Sequence, residues 1–178
     1  MRKTMPIRSF KSILVLLLLT SFMHAQQREW VKVAPLGAGF SILMPTRPTE
    51  AIESKELFTV HSFVASTGNT LLIAVYFDYA PSMKMNGATE LVANRDSFLK
   101  GLNAQLISSK EIKLDGRAGL EFTGEDERRL YRSRVYIFGN RVHQIAGVIL
   151  KSDEDTENVD RFFASFAFTA ITDARGKP

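Results

Sequence analysis

The sequence predicts an α+β fold, an antiparallel β-sheet with two main amphipathic helices. Three observations predict it. Strand-like segments are punctuated by glycine turns at Gly68-Asn69, Asp115-Gly116 and Gly139-Asn140, the pattern of strands joined as hairpins. Two other segments, 88–103 and 152–166, repeat apolar residues at helical spacing. No cysteine occurs in 178 residues, so a hydrophobic core and not disulfides must hold the chain. Strands joined by tight turns pair antiparallel, and helices then cover the sheet.

Residues 1–25 read as a signal peptide. Arg2, Lys3, Arg8 and Lys11 precede the apolar run Ile13 to Leu19, and Ala25 suits a cleavage site. The apolar run, about 11 residues with its flank, falls short of the roughly 20 that a membrane helix needs. No stable membrane span is therefore expected after cleavage. The whole chain has 23 Lys and Arg against 19 Asp and Glu. Four of those bases and no acid lie in 1–25, which leaves 19 of each sign in the mature chain. A neutral domain offers no bulk attraction to nucleic acid or anionic lipid, so no nucleic-acid partner is expected. The remaining 26–178 has the length of a single domain, exported to the periplasm or the exterior.

Within that domain, Trp30, Val31 and Val33 suit a short first strand. Gly37-Ala38-Gly39 is a turn, and Phe40 to Met44 a strand ended by Pro45. Thr49 to Glu56 is polar and suits an edge strand. Leu57 to Ser66 and Thr70 to Tyr79 form a hairpin that sets Val64 opposite Ile73, Ser62 opposite Val75 and Val60 opposite Phe77, as the core face. The other face, with His61, Phe63, Ala74, Tyr76 and Asp78, is mixed. Leu91, Arg95, Phe98 and Leu102, widened by Val92 and Leu99, mark the first helix over 88–103, with Gly101 as a stop signal. Gln105 to Leu114 returns as a strand burying Leu106, Ile112 and Leu114. A three-stranded meander follows to Leu150. Ser152 with the acids after it suits a helix start, and Val159, Phe162, Phe163 and Phe166 form that helix's apolar face. Phe166-Ala167-Phe168 runs out as a short strand.

Four stretches stand together: Phe40-x-Ile42-x-Met44-Pro45-x-x-Pro48, Leu114-Asp115-Gly116-Arg117-Ala118-Gly119-Leu120-Glu121, Arg132-x-Arg134-x-Tyr136-x-x-Gly139-Asn140-Arg141-Val142-His143-Gln144, and Arg161-Phe162-Phe163-x-Ser165-Phe166. Their pattern resembles that of small exported bacterial proteins of unknown function with a PsbP-like α/β/α sandwich. The resemblance covers most of 26–178 and implies a single PsbP-like domain. Its motifs are turn glycines, prolines and core aromatics, so it speaks to fold. It implies a binding or accessory module by analogy of fold alone.

The residues themselves exclude much chemistry. Without cysteine there is no thiolate zinc site. After cleavage only His61 and His143 remain, and with Asp78 they would approach a metal only if the two hairpins met. No nucleophile elbow, phosphate loop or calcium loop is present. No catalytic residue, metal or cofactor is therefore assigned, and an enzyme is the less favoured reading. One constellation stands out. The Gly139-Asn140 turn sets Ile137 opposite Val142, Tyr136 opposite His143, Val135 opposite Gln144 and Arg134 opposite Ile145. Tyr131, Val135, Ile137, Val142, Ala146 and Val148 then form a core face, while Arg132, Arg134, Tyr136, Arg141 and His143 share the polar face. A reversal at Asp126-Glu127 would place Glu121 opposite Arg132. The expected function is a non-catalytic exported module that contacts an unknown protein or envelope partner through those five residues. The alternative is a small-ligand binder or enzyme using a cleft of Tyr136, His143 and Arg134.

Overall fold

A computed structural model describes residues 29–152 and 156–171. The signal peptide expected at 1–25 and the acids Asp153 to Asp155 lie outside the described residues. In chain order the elements are β1 (Val31–Val33), β2 (Phe40–Met44), β3 (Thr49–Ser54), β4 (Phe58–Thr67), β5 (Thr70–Tyr79), α1 (Gly87–Gly101), β6 (Gln105–Leu114), β7 (Arg117–Glu125), β8 (Arg129–Phe138), β9 (Arg141–Leu150), α2 (Thr156–Ser165) and β10 (Ala167–Phe168). Glycines open the two-residue turns at Gly68 and Gly139 with φ of 54° and 58°. At the third turn both Asp115 and Gly116 take positive φ.

One antiparallel sheet has the order β3-β4-β5-β9-β8-β7-β6. A smaller sheet, β1-β2-β10, is not hydrogen-bonded into it. Helix α1 packs on one face of the large sheet, over β6, β7 and β8. The opposite face meets β2 and α2, where Phe40, Ile42, Met44, Val159, Phe162 and Phe163 pack with Leu72, Ala74, Ile145 and Ile149. The second layer is therefore strand and helix together, and the molecule is richer in sheet than two helices flanking a sheet would be. Among the described residues no helix is long and apolar enough to cross a membrane.

Both hairpin registers follow the turns: Val64 faces Ile73 and Ile137 faces Val142. Burial departs from the expectation. Phe63, Ala65, Leu72, Ala74 and Tyr76 are the buried apolar residues of β4 and β5, while Val60, Val64, Ile73 and Val75 are only half-buried. The cause is the placement of the cover. Helix α1 reaches β6 to β8 and leaves β4 and β5 partly open on its side, whereas β2 lies across the other side. Leu106 is exposed, because β6 is an edge strand with an irregular register between Leu106 and Ser108. The β7–β8 reversal runs over Asp126 to Arg129, where Asp126 N–H donates to the Arg129 carbonyl, so Glu121 faces Arg134 and not Arg132. Helix α1 ends at Gly101, short of the expected Asn103, with Leu102 as its C-cap, and the left-handed residue that stops it is Asn103 and not the glycine. Asn103 has φ 52°, Ala104 N–H donates to Leu99 O, and Asn103 N–H to Lys100 O.

Candidate functional site

The five residues expected on one polar face do share it, since β8 and β9 alternate as the turn dictates. That face is not solvated. It lies under β2, β10 and α2, and Tyr136 and His143 are both 3% exposed. The five therefore divide into a buried aromatic pair and three arginines at its rim.

Each of these arginines is engaged. Arg132 donates to Asp160 of α2 at 2.8 Å. Arg134 donates to Glu121 at 2.5 Å, and Lys110 reaches the other oxygen of that carboxylate at 2.7 Å. Burial pushes the Glu121 carboxyl up, but the hydrogen bonds and charges of Lys110 and Arg134 together hold it below its ordinary value. Both guanidiniums lie near the Phe163 ring, at 5.5 and 5.0 Å from its centroid. Arg141 binds both oxygens of Asp78 and the carbonyl of Gly37, and stands 4.8 Å from the Tyr76 ring centroid.

The buried pair sits among rings. Tyr136 stacks on Phe166 at 5.7 Å, and His143 meets Phe40 at 5.8 Å and Phe168 at 5.3 Å, both edge-on. Burial pushes the Tyr136 phenol up. His143 Nε2 lies 2.9 Å from the carbonyl of Ala38. Burial lowers the imidazole to about 4; the Ala38 bond works against that shift, and Arg141 and Arg117 add to it. The ring is therefore neutral at neutral pH. The two hairpins do meet, because β5 pairs with β9, yet Asp78 is held by Arg141 and His61 stacks on Tyr76 at 4.3 Å. Among the described residues no group of three or more His, Cys, Asp or Glu could hold a metal ion.

His143 lines a cavity of about 220 Å³, with Gly39, Arg117, Phe138, Phe168 and Ile171 among its walls. Tyr136 and Arg134 do not line it. Arg117 was legible only through register: Gly119 pairs with Tyr136, so a residue two earlier on β7 falls beside Phe138. A larger cavity of about 610 Å³ lies between β1 and β3, walled by Val31, Leu36, Arg47, Ile52, His61 and Tyr76.

No protein-family model matches the chain, and no curated protein does. Among solved structures, the chain is similar to cyanobacterial PsbP (CyanoP) from Synechocystis sp. PCC 6803, with a TM-score of 0.56 and 14% identity over 85% of this chain and 99% of that one. A protein from Bacteroides thetaiotaomicron VPI-5482 matches at a TM-score of 0.38 and 16% identity, over 81% of this chain and 49% of that one, too loosely to bear on the fold. The chain has a PsbP-like fold.

Proposed function

We propose that the chain is an exported, non-catalytic binding or accessory module that contacts a protein or envelope partner. The observation that carries this is the groove between β1 and β3. All six residues of β3 are exposed, and β3 is the edge of the large sheet. Strand β1 is the edge of the small sheet, and Leu36 and Ile52 stand 66% and 70% exposed beside the groove. Strand edges unpaired among the described residues, with apolar side chains between them, suit the addition of an extended segment. The arginines of the β8–β9 face are spent on internal ion pairs, so the groove is the better contact surface. Export rests on the pattern of residues 1–25. We read the layers as a sheet-rich form of the α/β/α sandwich.

The test is capture from envelope extract with the exported protein as bait. Leu36→Glu with Ile52→Glu should abolish capture, and Arg132→Ala with Arg134→Ala should leave it intact. Loss in the arginine variant alone would move the interface away from the groove, and no specific capture by the wild type would overturn the module reading. N-terminal sequencing of the exported product tests the leader, and a product starting at Met1 would remove it.

A second reading, a small-ligand binder, is favoured by one observation: His143 lines a cavity, although the other two residues of the expected cleft do not.

A further inference from the structure

Two residues that line the cavity over His143 each carry a buried polar atom with no partner among the described residues. The first is His143 Nδ1. The Ala38 carbonyl can only accept, so Nε2 carries the ring proton and donates to it. In the neutral ring Nδ1 is then a bare lone pair that needs a donor. The second is Arg117 Nε, a donor that needs an acceptor. The Arg117 guanidinium lies 4.6 Å from the Phe138 centroid and 4.1 Å from the Phe168 centroid. With two rings against it, what is left for a ligand is its in-plane N–H edge, the edge that binds a carboxylate through two parallel bonds.

Charge points the same way. Arg132, Arg134 and Arg141 each have a carboxylate partner, whereas Arg117 has none among the described residues. Arg141 stands close by: its Nη1 comes within 3.7 Å of the position a Cβ would take on Gly39, in the cavity wall. Asp78, the carboxylate that acts on the His143 ring, is committed to Arg141. Among the described residues the site thus presents one uncompensated cation, one unpaired acceptor and aromatic walls. Its volume of about 220 Å³ is under the range of about 300–1,000 Å³ usual for drug-sized ligands, so the ligand is small.

We propose that this cavity binds a small carboxylic acid that also carries an O–H or N–H donor, a hydroxy acid or amino acid with an apolar body. The carboxylate lies on the N–H edge of Arg117, the donor on His143 Nδ1, and the body against Phe138, Phe168 and Ile171. The site is separate from the β1–β3 groove and does not depend on the partner reading.

The experiment is an NMR titration of the exported protein, following the Arg117 Nε–Hε signal and the His143 ring nitrogens. The probes are lactate, phenyllactate, leucine and phenylalanine, with 3-phenylpropionate as the acid that lacks the donor. At least one hydroxy or amino acid should shift both signals and bind about tenfold or more tightly than 3-phenylpropionate, a difference of about 1.4 kcal/mol. Arg117→Met should abolish the ligand-induced shift of the His143 ring nitrogens while the rest of the spectrum stays folded. The titration of the wild-type protein stands even if that variant unfolds. Three results would overturn the proposal: no shift with any probe at millimolar concentration, equal affinity for the acid without the donor, or a displaced Arg117 signal in ligand-free Asp173→Asn, which would mean that the chain's own carboxylate occupies the site.

Discussion

At Arg141 a single guanidinium binds both Asp78 oxygens and the Gly37 carbonyl while covering the Tyr76 ring, with 16% of its side chain exposed. Arg141→Met leaves Asp78 and the Gly37 carbonyl unpaired at a half-buried position and should lower stability by about 2 kcal/mol in urea unfolding. Arg132 pairs with an Asp160 that is 62% exposed, so Arg132→Met should cost within about 1 kcal/mol. His143 makes stability depend on pH. Its ring titrates near 6.5 when unfolded and at about 4 in the fold, so between these values the unfolded chain holds more protons. Stability from this residue is complete above pH 6.5 and lost as the pH falls towards 4, by about 3 kcal/mol in all. Unfolding free energies of wild type and His143→Gln, compared across that window, should converge as the pH falls. Parallel curves would contradict the burial of a neutral ring.

Between elements, close approach replaces ion pairing as the governing contact. A Cβ on Gly147 of β9 would lie 2.8 Å from both Cγ atoms of Val159, a buried and β-branched residue of α2 that cannot move aside. Gly147→Ala should therefore lower stability by about 1–3 kcal/mol, measured by denaturant unfolding. Gly101, in the last turn of α1 with open space where its Cβ would be, gives the opposite sign: Gly101→Ala should stabilise by about 0.5–1 kcal/mol. This contrast also shows how far the sequence was legible. Turns such as Gly139-Asn140 are local chemistry, and the β8–β9 register followed from them. The faces were not legible, because alternation along β4, β5, β8 and β9 says that two faces differ without saying what covers each. Cover here comes from β2 and α2, far away in sequence, which is why Tyr136 and His143 read as a polar surface and lie in the core. Arg117 was overlooked for the same reason: its importance comes from Phe168, about fifty residues on, and from His143.

Across the whole molecule, the layer beneath the large sheet is sewn from both ends of the domain. Leu43 N–H donates to Ser165 Oγ at 2.9 Å, Thr169 N–H donates to Gly39 O at 3.0 Å, and β10 pairs with β2. Phe166 lies at that seam, against Phe40 and Tyr136. Phe166→Ala should lower stability by about 3–5 kcal/mol and do so in a single cooperative transition. A separate early transition would instead show the small sheet melting alone. The seam also sets an order of events in time. Strand β2 is made well before its partners in β10 and α2, which come some 122 residues later. Its apolar side cannot close with those partners until α2 and β10 have been synthesised. A nascent chain of this design leaves β2 without its cover until α2 and β10, far behind it in sequence, have been made.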